Sequence, residues 1–285
     1  MSVQRSNSPH VLMSGLAIGE SPRWHNGRLW FSNWTTQEII AVDPAGKSEV
    51  VVRLPFQSFP FSIDWLPDGR LLIASSSDRP LLRQEADGTL IDHARCTRGW
   101  NEIVVDRRGN TYVNGAGFNP LVGEKFAPGI VALVTPDGIV RQVAEGIAFP
   151  NGMAMTPDEA TLIVADSYGK RLTAFDIRAD GSLSGPRVWA DLGEGTPDGI
   201  CMDAEGAIWY ADVPNKRCVR VNEGGVTQQT VEVDRGCFAC MLGGEDGRTL
   251  FILAAEWRGM QNIIGAPRTG QLLTTQAPAP HAGRP

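Results

Sequence analysis

Glu20, Asn101, Asn151 and Asp198 are oxygen-bearing side chains that fall at one phase of a repeated segment. Two carboxylates and two amides gathered at one place repel or go unsatisfied unless something binds them. A hard divalent cation meets that need. Carboxylate and amide oxygens are the ligands Ca²⁺ prefers, with water completing the shell. Read alone, Pro150-Asn151-Gly152 and Pro197-Asp198-Gly199 are ordinary turn formers; their common phase with Glu20 and Asn101 favours a site. Asp68, Asp137 and Asp246 are out of phase and read as plain turns.

The elements that must position these groups are short strands. Six segments share one strand–turn–strand spelling: GESPRWHNGRLWFSN from Gly19, PFSIDWLPDGRLLIAS from Pro60, WNEIVVDRRGNTYVNG from Trp100, PNGMAMTPDEATLIVAD from Pro150, PDGICMDAEGAIWYAD from Pro197 and FACMLGGEDGRTLFILAA from Phe238. Five carry a Gly near the turn, and the segment from Pro150 has Pro-Asp-Glu instead. Aligning the turns matches Glu20, Phe61, Asn101, Asn151, Asp198 and Ala239, with separations of 41, 40, 50, 47 and 41 residues. That period, with about four strands per repeat, implies an all-β, six-bladed β-propeller. Its first strands line the axis, so the matched positions converge. The strand around Val11–Leu16 is expected to close the last blade. Residues 1–275 read as one domain, and the Ala- and Pro-rich segment 276–285 as a disordered tail.

Composition narrows the partners. The 285 residues carry a net charge of −6, which argues against nucleic acid and anionic membranes. No apolar run reaches the roughly 18 residues of a membrane span. Met1–His10 is polar, without the apolar core of a signal peptide, so a cytoplasmic protein is expected. It should act on a small molecule as a monomer or weak homo-oligomer. The odd set Cys96, Cys201, Cys218, Cys237 and Cys240, with its lone C-x-x-C, reads as buried thiols.

GLAIGESPRW, WNEIVVD, FPNGMAMTPD and TPDGICMDAEGAIWYAD, in this order and spacing, resemble the gluconolactonase / senescence-marker-protein / luciferin-regenerating-enzyme family from Gly15 to about Trp257. The resemblance implies a six-bladed propeller of metal-dependent lactone and ester hydrolases, some acting on organophosphates. It implies metal ligands at Glu20, Asn151 and Asp198 and a substrate-facing Asn101. Ca²⁺ suits the oxygen set best; Zn²⁺, Mg²⁺ and Mn²⁺ also occur in the family. Sugar-lactonase members often carry Arg two residues before that Asn. Here the position is Gly99, with Arg98 beside it, and Glu102 stands where Asp is common.

The chemistry expected is metal-assisted hydrolysis, with Asp198 as general base or nucleophile, or as ligand alone. No G-x-S-x-G is present, and His10, His25, His93 and His281 are all out of phase. The alternative is a non-catalytic, metal-stabilised propeller that acts as a binding module. Trp100, Phe61, Phe149 and Glu256 are further substrate-binding candidates, with Phe59 and Phe238 near the mouth. The blade-three insertion Asn114–Pro128 is either a lid or a longer surface loop.

Overall fold

The computed structural model describes residues 4–5, 8–75, 79–95, 99–263 and 265–283. Six antiparallel sheets form the blades of a β-propeller. Their inner strands are Gly19–His25, Ser62–Trp65, Glu102–Val105, Pro150–Met155, Pro197–Met202 and Gly236–Gly243. Each inner strand touches the next, and the sixth touches the first. Blade six is completed by His10–Leu16, antiparallel to Gly270–Gln276, as the position of Val11–Leu16 implied. Gln4–Arg5 adds a short parallel strand to blade five. No described helix is long and apolar enough to cross a membrane.

The strands form because alternate residues can be buried between neighbouring sheets. Val104, Tyr112 and Val131 of blade three, for example, pack with Met153, Met155 and Leu162 of blade four. The hairpins follow their turn chemistry. Asn26 (φ 49°) and Gly27 (φ 73°) give the paired left-handed residues of a type I′ turn. Blade four lacks the turn glycine, and Glu159 adopts the left-handed conformation in its place, at φ 56°.

Two features of the inner strands differ from the simplest reading of the sequence. First, Pro-Asn-Gly and Pro-Asp-Gly are not turns: they begin the strands Pro150–Met155 and Pro197–Met202. Neither glycine has positive φ. Close approach explains them instead, because a Cβ on Gly152 would lie 2.6 Å from the Asp198 carbonyl oxygen, and one on Gly199 would lie 2.6 Å from the Ala239 Cβ. Second, the inner strands of blades one, four, five and six each carry a register shift, between Glu20 and Arg23, Pro150 and Met153, Pro197 and Ile200, and Cys237 and Ala239. The extra residue in blade six makes Phe238, not Ala239, the counterpart of Asp198.

The tail is ordered through Gly283, contrary to the expectation for 276–285. It runs from blade six to blade five. The Ala277 and His281 amides donate to the Arg248 and Gly247 carbonyls at 2.8 and 3.0 Å, and the Ala282 amide donates to Met202 at 3.1 Å. Ala277 and Ala279 are buried. Small residues fit this shallow groove, and proline costs nothing where no donor is required. Cys201, Cys218, Cys237 and Cys240 are buried free thiols; Cys96 lies outside the described residues.

The inner strands are close enough that one methyl group is too much. Gly199→Ala should destabilise the protein by about 1–3 kcal/mol, read as a lowered urea midpoint. An unchanged midpoint would show that the two strands are not packed as described.

Candidate active site

At one end of the axis lies a cavity of about 700 Å³. Glu20, Asn101, Asn151 and Asp198 all line it, although they come from four blades. The register shifts explain how three of them are presented. Asn151 and Asp198 sit within β-bulges, and Glu20 is the last paired residue before one. A bulge re-aims a side chain that regular pairing would direct elsewhere. In blade one the bulge contains Ser21, at φ 50°, and Pro22, which has no amide hydrogen to leave unpaired.

Three residues that the sequence reading passed over brace these strands. Asn33, Asp166 and Asp212 end the second strands of blades one, four and five. Their side-chain oxygens accept from the Ala17, Phe149 and Thr196 amides at 2.9, 3.0 and 3.4 Å, fixing the chain just before each candidate ligand. Their recurrence at one phase of the repeat was the available signal. Ser167 was also missed. It donates to the Pro197 carbonyl at 2.6 Å and accepts from the Asn151 Nδ2 at 3.4 Å, linking Asn151 to the residue before Asp198.

Electrostatics at the cavity floor disfavour an empty pair of acids. Burial, then the charges of Asp198 and Glu102, push the Glu20 carboxyl well above the usual carboxylate range. Burial does the same to Asp198, opposed by a hydrogen bond from Asn151 and assisted by the charges of Glu102 and Asp212. The Asn101 Nδ2 donates to the Asn151 Oδ1 at 3.2 Å and to the Pro150 carbonyl at 3.3 Å. The donor set is therefore all oxygen and carries two negative charges when ionised, which fits a hard divalent cation. Among the described residues no group of three His, Cys, Asp or Glu could hold a metal, so such a site depends on Asn151 and water as well as the two acids.

Below Glu20 the axis is closed by a buried network. The Ser21 hydroxyl donates to Glu102 Oε1 at 2.9 Å and accepts from the Ile63 amide at 3.0 Å. Arg23 pairs with Glu102 at 3.1 Å, approaches Asp64 at 3.9 Å, and donates to the Ile103 carbonyl. Glu102 also accepts from the Ile103 amide at 2.8 Å. Blades one, two and three are thus tied together beneath the floor.

The remaining candidates divide. Phe149 lines the cavity. Trp100 lines it too, but is mostly sunk in the core between blades two and three. Phe61 does not face the cavity. It is fully buried against Ile39, Ile63 and Ile73, and its neighbours Phe59 and Pro60 form the wall instead. Glu256 does not line the cavity either; it is exposed and its Oε2 accepts from Arg258 at 2.6 Å. Gly99 lines the cavity, whereas Arg98 lies outside the described residues. The insertion supplies Gly117, Phe118, Asn119 and Leu121 to the wall.

Comparison with known proteins bears on this geometry. Residues 18–256 match the family described as the SMP-30/Gluconolactonase/LRE-like region. Regucalcin of Xenopus laevis is 28% identical over 277 residues, covering 90% of this chain and 91% of that protein. Gluconolactonase of Zymomonas mobilis is 26% identical over 291 residues, covering 86% of this chain and 78% of that protein. The solved structure of a calcium-binding protein, regucalcin, from Agrobacterium tumefaciens shares the fold, with a TM-score of 0.80 and 24% identity over 100% of this chain and 97% of that one.

The raised carboxylates set a sign for pH. Both folded pKa values lie above the ordinary 4.5 and 3.8. In metal-free protein the stability the acids contribute is complete below about pH 4 and is lost as pH rises through the raised values. The melting temperature of metal-free wild type, relative to Glu20→Gln, should therefore fall as pH rises from about 5 to 8. Ca²⁺ should offset the loss most at the upper end, with about 2.7 kcal/mol at a hundredfold excess over Kd. A pH-independent difference that Ca²⁺ leaves unchanged would reject the pairing of the two acids.

Proposed function

The chain belongs to the SMP-30/Gluconolactonase/LRE-like family, and on that premise we propose that it is a divalent-metal-dependent hydrolase of a small lactone or ester less polar than gluconolactone. The carrying observation is that Glu20, Asn151, Asp198 and Asn101 share the floor of one cavity whose walls carry eight aromatic side chains. The gluconolactonase relative supports the reaction class.

In this reading Glu20, Asn151 and Asp198 hold the ion through oxygen. Ca²⁺ suits them best, with Zn²⁺, Mg²⁺ or Mn²⁺ as alternatives. When bound there, the ion supplies Lewis acidity toward the substrate carbonyl. Asn101 Nδ2 orients a substrate oxygen by exchanging its present Asn151 and Pro150 acceptors for one on the ligand. Asp198 is half-buried at the floor, with one carboxylate able to meet both ion and water. As base it takes a proton from water while the water oxygen bonds to the carbonyl carbon. The acyl–oxygen bond then breaks, and the leaving oxygen is protonated to give a hydroxy acid or an acid and alcohol. As nucleophile, the same carboxylate attacks that carbon, the acyl–oxygen bond breaks and the leaving alkoxide takes a proton from water; water then hydrolyses the acyl anhydride, giving the product acid and returning the free Asp198 carboxylate.

Asp198→Asn keeps an oxygen but removes the basic carboxylate. Activity should fall by about 10²-fold or more at saturating metal. Asn151→Asp should change metal affinity more than the chemical step. Complete rescue of Asp198→Asn by added metal would leave that residue a ligand only. If metal-loaded wild type turns over no lactone or ester, the protein is a binding module instead.

Substrate polarity is separately testable. A site for a polyhydroxylated ring needs placed donors and acceptors, and this cavity has Gly99 and rings such as Phe59, Phe149 and Phe238 on its walls. The ratio kcat/KM should be higher for an alkyl-substituted lactone than for gluconolactone of the same ring size. A clear preference for gluconolactone would reject this part of the reading.

A further inference from the structure

The cavity floor is polar, but the wall rising from it on blades three and four is a continuous run of rings. Phe149 stacks on Tyr168 with centroids 4.7 Å apart. Phe118 meets Phe149 at 6.0 Å and Tyr168 at 6.3 Å. Phe126 lies against Tyr168 at 6.4 Å. The run changes from half-buried at Phe149 to exposed at the rim, where Phe126 and Tyr168 are both 56% accessible and Val122 is 69% accessible. Large apolar side chains exposed together beside a site mark a contact surface. Glu124 also lines this side, but its carboxylate accepts from the Asn119 amide at 2.8 Å.

The upper end of the wall is partly roofed. The 3₁₀ turn Pro120–Val122 of the blade-three insertion meets the 3₁₀ turn Met260–Asn262 that follows the second strand of blade six. Blades three and six stand opposite each other in the ring, so these turns meet across the mouth. A ligand portion held under them is removed from water. A volume of about 700 Å³ is in the range of pockets for drug-sized ligands, which bury most of the ligand's surface.

We propose that the substrate of this site is an amphiphile: a lactone or ester whose reacting group sits at the Asn101–Asp198 floor and whose extended alkyl chain lies along Phe149, Phe118 and Tyr168 to the rim. This rests on the hydrolase reading for the reaction, but not for the chain. The chain path is a binding subsite and is measurable without turnover.

The experiment uses two matched series in the metal-loaded protein. Five-membered lactams with no, butyl, hexyl or octyl substituent report binding by calorimetry; the corresponding lactones report kcat/KM. Lactam affinity should rise about three- to fourfold per added methylene until the chain passes the rim, then level off. Phe126→Ser and Tyr168→Ser, both at exposed positions, should fold normally by their melting curves and flatten the slope. Affinity independent of chain length overturns the proposal, as does an unchanged slope in both variants. A slope in lactam binding without turnover of any lactone leaves the chain subsite standing and rejects the hydrolase reading. Turnover without a slope does the reverse.

Discussion

The centre of this molecule depends on one constraint: Glu20 and Asp198 face one cavity from separate blades, where burial raises both carboxyls, the charge of Asp198 raises Glu20 further, and the charge of Glu102 raises both. A propeller axis makes such a meeting possible because only inner strands reach it. The approach of those strands is limited by backbone contact, as Gly152 and Gly199 show. The glycines therefore let the inner strands of blades four, five and six draw together, with Asn151 and Asp198 beside them. A cation at this floor would offset the cost of ionising Glu20 and Asp198.

The network beneath the floor explains why the acids stay in place. Arg23 is buried, and its partner Glu102 comes from blade three. Burial pushes the Glu102 carboxyl up, while Arg23, the Ile103 amide and Ser21 oppose it. Removing one member of such a buried pair costs about 3–5 kcal/mol, because the other charge is left without compensation. Ser21 joins the network through its hydroxyl and is bonded in sequence to Glu20, so a shift in the brace would be felt at the candidate ligand. Glu102, one methylene longer than the Asp common in the family, reaches both Ser21 and Arg23 from the far side of the axis.

Much of this was legible in the sequence because the repeat is a periodic constraint that every blade must satisfy. Matched turns were enough to bring Glu20, Asn101, Asn151 and Asp198 together on paper. What could not be read depends on partner strands. A bulge is a relation between two strands, so the one-residue slip from Ala239 to Phe238 has no signature in blade six alone. Phe61 shares the phase of Asn101, but a large apolar side chain at that phase is drawn into the core between blades one and two. Glu256 lies just past a strand, where Arg258 two residues on supplies an exposed partner. Composition alone does not settle the tail, since alanine and proline suit a buried groove as well as they suit disorder.

The same reasoning separates the two amides. Asn151 sits in a bulge and has lost regular pairing with the second strand. Its backbone carbonyl accepts from the Asn114 Nδ2 at 2.5 Å, which fixes the main chain from the neighbouring blade. Asn101 lies just before the unbulged strand Glu102–Val105, and its own amide donates to the Asn114 carbonyl at 2.7 Å. Asn114 thus anchors both. One amide is presented by a deformed strand and linked through Ser167 to blade five; the other continues a regular ladder and points its Nδ2 toward blade four. That difference in backbone supports different roles: Asn151 among the candidate ligands, whose position must be rigid, and Asn101 as a donor that can exchange one acceptor for another when substrate enters.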